Sequence, residues 1–135
     1  MPRSHANIDH LAIAASGVWV IDAKNLRGKV SIEKSFRKRP KLMIGGRDRT
    51  SLVDGLDRQV AAVRRTMSEI DPAVPVHGAL CFVEADLPLL RTLTFEGYPL
   101  LWRKGMRRRL RQSGPVPAGR CASIAADLAR AFPSA

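Results

Sequence analysis

Between Asn7 and Ala14 apolar residues recur at every second position. Ser16-Gly17 then supplies a turn signal, and VWVIDAKN follows as a β-branched, aromatic run. Period-two patterning on both sides of a glycine turn predicts a β-hairpin. Two further short strands are expected over residues 29–32 and 41–44; the basic, turn-like Arg37-Lys38-Arg39-Pro40 lies between them, and Gly45-Gly46 closes the second. The period then changes. Leu52, Leu56, Val60, Val63, Met67 and Ile70 form one apolar stripe at helical spacing. Ser51 is the expected cap, with Asp54 three residues on in a variant of the capping box, and Asp71-Pro72 and Pro75 stop the helix. Residues 76–84 (VHGALCFVE) are continuously apolar enough for a buried central strand, and residues 99–102 suit a short edge strand. Two shorter helices are expected over 105–112 and about 118–132, parted by the linker-like Ser113-Gly114-Pro115-Val116-Pro117. This order predicts an α/β class fold, a mixed central β-sheet with flanking helices. Residues 1–112 read as the body of one domain, and 113–135 as a linker and helix packed on it.

Composition narrows the partners. The chain has 135 residues, 45% of them hydrophobic and 26% charged, which suits one packed domain and not a disordered chain. Its 23 Lys and Arg against 12 Asp and Glu give a net charge of +11. A field of that sign concentrates polyanions and favours nucleic acid or another anionic surface, although some soluble proteins are simply basic. Cys81 lies in an apolar run and Cys121 is remote from it, with no CxxC pair or histidine at zinc-ligand spacing, which argues against a structural zinc or a disulfide framework. MPRSHANIDH is too polar for a signal peptide and no segment approaches a membrane span, so a cytoplasmic location with no membrane partner is expected. There is no phosphate-cradling glycine loop, because Gly45-Gly46 lacks the surrounding pattern.

The chemistry gathers in the hairpin. Side chains alternate along a strand, so Asp22 and Lys24 project from one side, with Ala23 on the other. Asp9 shares a face with Leu11 and Ile13, while His10 projects oppositely. A tight closure around Ala15-Ser16 sets Asp9 opposite Asp22 with β-carbons roughly 5 Å apart; a bulge at Gly17 would shift this by one residue. Facing carboxylates destabilise a sheet unless neutralised, and hard oxygen ligands select Mg²⁺ or Mn²⁺. Lys24, about 6–7 Å along the strand from Asp22, is suited to orient or help deprotonate a water, or to stabilise a phosphoryl transition state. The alternative is a surface ion pair between Asp22 and Lys24 with Asp9 solvated. Gln59 lies on the apolar stripe between Leu56 and Val63 and should face the sheet, so its amide either makes a structural hydrogen bond to a strand end or supports the site.

The string from Ala6 to Val30 resembles the NERD (nuclease-related) domain of the PD-(D/E)xK superfamily. In that family an N-I-D-H strand leads through a G-V-x-V-I-D/E-x-K strand to a G-x-V strand. Here these are Asn7-Ile8-Asp9-His10, Gly17-Val18-Trp19-Val20-Ile21-Asp22-Ala23-Lys24 and Gly28-Lys29-Val30. The resemblance implies a restriction-endonuclease-like fold and Mg²⁺-dependent (or Mn²⁺-dependent) cleavage of DNA. It implies Asp9, Asp22 and the Ala23 carbonyl as metal ligands and Lys24 as the catalytic lysine. Related nucleases also carry a glutamine on the helix after this strand, the position of Gln59. Family members usually begin with a glutamate-bearing helix and a strand before this segment, whereas only eight residues precede Asp9 here. The expectation is a fold lacking that helix, through a late start, a fragment or a degenerate copy, with Glu33 and Glu84 as candidate replacement carboxylates. A missing helix would leave one sheet face bare and invite a homodimer.

Two basic runs complete the picture. Arg37, Lys38 and Arg39, with Lys41, form one; Arg107, Arg108, Arg109 and Arg111, with Arg103 and Lys104, form the denser other. Each reads equally as a solvated face or as a phosphate-contacting surface for DNA. Aromatic residues are not interleaved with them, so base stacking is not indicated. Trp19 is expected in the core. The competing reading for the whole chain is a nucleic-acid-binding remnant that uses these runs without catalysis.

Overall fold

The computed structural model describes residues 10–133. The elements are β1 (His10–Ala14), β2 (Gly17–Lys24), β3 (Gly28–Ser35), β4 (Lys38–Ile44), β5 (Arg47–Asp48), α1 (Ser51–Ile70), β6 (Val76–Phe82), β7 (Ala85–Asp86), β8 (Leu93–Phe95), β9 (Tyr98–Trp102), α2 (Arg103–Leu110) and α3 (Ala118–Ala131). They build a five-stranded sheet ordered β1-β2-β6-β9-β8 and a four-stranded sheet ordered β5-β4-β3-β7. This is a mixed α/β architecture consistent with a restriction-endonuclease-like fold, divided into two sheets where the sequence suggests one.

The hairpin β1–β2 closes tightly, from Ala14 opposite Gly17 to His10 opposite Ile21, without a bulge. Beyond it β2, β6 and β9 run parallel. Parallel strands are stable when both faces are covered, and β2 and β6 are apolar on both sides. On one face Val18, Val20, Leu80 and Leu100 join Leu56, Val60 and Val63 of α1 and Ile124 and Leu128 of α3. On the other, Trp19, Ile21, Ala79, Cys81 and Leu101 meet Met106 of α2, with Leu110 beside it. That face is therefore not bare. The eight residues of α2 cover it, which removes the apolar surface from which a homodimer was expected. Trp19 is core, as expected, its indole donating to Ser16 Oγ at 2.9 Å.

Several local expectations give way to tertiary partners. Ser51 opens α1, but no side chain caps that helix. The Thr50 hydroxyl instead accepts from the Leu42 amide at 3.0 Å and donates to Asp48 at 2.6 Å, which ties the helix start to β4. Asp54, the expected box partner, pairs with Arg39 at 2.9 Å. The turn between β3 and β4 is confined to residues 36–37, with Lys38, Arg39 and Pro40 already in the strand. The segment expected as an edge strand, β9, is internal, because β8 pairs outside it.

The chain passes from one sheet to the other where two glycine backbones meet. Gly28 has φ +110° and Gly45 φ +58°, and a β-carbon on Gly28 would stand 2.5 Å from the Gly45 α-carbon. Gly28→Ala therefore combines a disfavoured backbone angle with a clash against main chain. A loss of roughly 1–3 kcal/mol is expected in urea unfolding.

Candidate active site and nucleic-acid interface

Asp22 and Lys24 sit at the carboxyl end of β2, on the α1 side of the sheet shared with Val18 and Val20. Asp22 is 3% exposed, and Lys24 Nζ lies 3.2 Å from its Oδ1. The pair is not the surface contact of the alternative reading. One partner is buried, while the lysine side chain keeps a third of its surface in solvent. A buried carboxylate is costly unless compensated, and the Lys24 ammonium stands within ion-pair distance of this one.

The backbone here also has a direction. The Lys24 carbonyl accepts from the Val83 amide on the β6 side, at 3.2 Å. Since carbonyls alternate along a strand, that of Ala23 is turned away from β6, toward the side on which β1 lies. Asp9 lies outside the described residues, as does His5. His10 begins β1 opposite Ile21 and is exposed. Its face is that of Trp19 and Ile21, opposite to Asp22.

Gln59 is 8% exposed, and its Oε1 has no hydrogen-bond partner among the described residues. That oxygen therefore makes no bond to a strand end. Val60 next to it rests on Gly78, which pairs with Val20, so this turn of α1 lies over the middle of β2. Replacing it by leucine deletes an unsatisfied buried acceptor and preserves the apolar stripe. Gln59→Leu is expected to raise stability by about 1 kcal/mol in urea melts. If the amide supports the site, the same variant loses activity while it gains stability.

Among the described residues no three of His, Cys, Asp or Glu come together as a metal-holding group. Glu84 is engaged by Arg27 at 2.5 Å, and Glu33 is exposed opposite Lys41. Neither joins Asp22. The candidate donors are hard oxygens, the Asp22 carboxylate and the Ala23 carbonyl, with Gln59 Oε1 on the α1 side of the sheet, as Asp22 is. That chemistry suits Mg²⁺ or Mn²⁺ and not a soft metal. Cys81 is buried and free, and burial pushes its thiol up, so it offers no thiolate.

The basic runs differ in availability. Arg39 is committed to Glu96, at 2.6 Å, and to Asp54; these bonds raise its pKa further above the ordinary arginine value. Arg37 and Lys38 are exposed, with the Arg37 guanidinium over the Phe36 ring at 5.0 Å. On α2, Met106 faces inward, and Arg103, Lys104, Arg107 and Arg108 are exposed, with Arg111 just beyond; Arg109 is half-buried. Like charges one turn apart repel, and Arg103 and Lys104 oppose the helix dipole at its amino end. A polyanion would relieve both.

The nuclease-related domain family model (NERD) matches residues 1–83. No curated protein and no solved structure matches the chain. The matched span contains the hairpin, both strands of the next hairpin, α1 and β6. No helix among the described residues is long and apolar enough to cross a membrane.

Proposed function

The chain belongs to the nuclease-related domain family, and from that membership we propose that it hydrolyses DNA phosphodiester bonds with the help of a divalent cation. The observation that carries the reading is Asp22, nearly buried at the end of a central strand with Lys24 at 3.2 Å on the same face.

In this reading Asp22, the Ala23 carbonyl and Asp9, the residue preceding β1, would hold Mg²⁺ or Mn²⁺. Bound there, such a cation would supply Lewis acidity to a phosphate and make a nearby water more acidic. The Lys24 ammonium, fixed by Asp22 and still reaching solvent, orients the attacking water and offsets charge growing on the phosphate oxygens. The burial of Asp22 strengthens both effects by excluding bulk water from the carboxylate. Gln59 fixes a ligand or water from the helix side. Arg37, Lys38 and the exposed arginines of α2 hold the phosphate backbone, with no sequence preference implied.

The test is nicking of supercoiled plasmid. Cleavage should appear with Mg²⁺ or Mn²⁺ and stop with EDTA. Conversion that is indifferent to EDTA, or absent with every divalent ion tried, sinks the proposal. A second reading, nucleic-acid binding without cleavage, is favoured by the repulsive charge arrangement of α2. It predicts salt-sensitive retention of DNA that survives EDTA with no nicking.

A further inference from the structure

At the carboxyl edge of the parallel strands the molecule has two clefts that share one wall. The first, about 600 Å³, lies between β3 and loop 87–92 and takes its charges from Lys29, Lys34 and Arg91. The second, about 350 Å³, lies between the same loop and the start of α2 and takes its charges from Arg91, Lys104 and Arg108. Neither wall carries a carboxylate. On the loop wall of the second cleft, Leu89 is 85% exposed and Leu90 fully exposed. Single exposed leucines are ordinary, but here two adjacent ones crown a loop flanked by cations on both sides. The root of the loop is firm: Ala85 and Asp86 pair with β3, and the Trp102 indole donates to the Ala85 carbonyl at 2.7 Å.

We infer that loop 87–92 is a DNA wedge: the duplex backbone lies along the two cationic clefts while Leu89 and Leu90 press into its minor groove and part a base step. The charges suit a duplex, whose two phosphate rows are separated by a groove. Apolar wedges that unstack a step and bend the helix are a known solution at that groove. The strand directions bring the wedge to the edge that carries Asp22 and Lys24, because β2, β6 and β9 all end there. Bending at this point would present an opened backbone to that edge. The loop itself lies beyond the family-matched residues 1–83.

The inference rests on DNA as the ligand of the proposed function but not on catalysis, and the test separates the two. Binding is read in EDTA by anisotropy of a short fluorescein-labelled duplex across a salt series, and unstacking by 2-aminopurine fluorescence. The triple variant Lys29→Ala/Lys34→Ala/Arg91→Ala should lower the slope of log K against log salt by about 3. Leu89→Ser/Leu90→Ser should keep the slope, weaken binding about tenfold and abolish the 2-aminopurine rise. These side chains are at the surface, so both variants should melt with the wild type. The wedge is overturned by an unchanged slope in the triple variant, or by wild-type affinity and unstacking in the leucine variant. It is equally overturned if the leucine variant dissociates a dimer in sedimentation and binds DNA as before, since the leucines then serve a second copy of the chain. Wild type that binds and unstacks but never nicks leaves the wedge standing and removes the hydrolase. Wild type that nicks while both variants bind unchanged does the reverse.

Discussion

Asp22→Asn is expected to abolish divalent-dependent nicking, by at least ~10²–10³-fold, while leaving the fold intact. The substitution keeps the shape of a side chain that is 3% exposed and removes its charge. Lys24 loses its partner at 3.2 Å, but a third of that side chain reaches solvent, so the ammonium stays hydrated. The melting temperature should therefore remain within a few degrees. A variant that melts like the wild type and does not nick assigns the loss to chemistry. Full nicking by Asp22→Asn would end the claim that this carboxylate holds the cation. Lys24→Ala should cost a similar factor, and the double variant little more than either alone, since groups that act as one unit are not additive. Independent additive losses would mean that the two residues do not serve one step.

Much of this geometry could be read from the residues, for a definite reason. Strand alternation is rigid, so Leu11 and Ile13 had to share a face with Val18 and Val20, and Asp22 and Lys24 had to project together. The two-residue turn at Ala15-Ser16 then left one register for the hairpin, from Ala14 opposite Gly17 onward. The α1 stripe and the buried β6 strand were legible for the same kind of reason, a long periodic signal. What escaped was short or tertiary. β5 and β7 have two residues each and β8 three, too few to show a period. Residues 99–102 suit a short edge strand by sequence. Yet β9 pairs with β6 only from Leu100 onward, so no donor is required at the proline. The Thr50 hydroxyl answers to Leu42, eight residues away, over the local capping pattern. The depth of Asp22 could not be read either. Alternation says which side a residue is on, not how thickly that side is covered. The clefts beside loop 87–92 draw residues from three separate stretches of chain, which no linear pattern announces.

Phe82 offers the largest expected change in stability, and it links the core to the site. It is fully buried on the α1 face, the last residue of β6, paired in register with Lys24 on one side and Trp102 on the other. Cutting it to alanine removes an aromatic ring from the point where three parallel strands end. Phe82→Ala should cost about 3–5 kcal/mol, from lost transfer energy and from the cavity left behind. For a domain of this size, stable by roughly 5–15 kcal/mol, that approaches the whole margin. Phe82→Leu keeps most of the volume and should cost less than about 1.5 kcal/mol. Urea unfolding of the two variants at one temperature separates these outcomes. The site should respond in the same order, since the Lys24 stem shares a face with the ring. At temperatures where Phe82→Ala remains folded, its nicking should fall well below that of Phe82→Leu, because a cavity beneath the stem frees the ammonium from its position beside Asp22. Equal activity in the two folded variants would show that the position of Lys24 is fixed by Asp22 alone and owes nothing to the core beneath it.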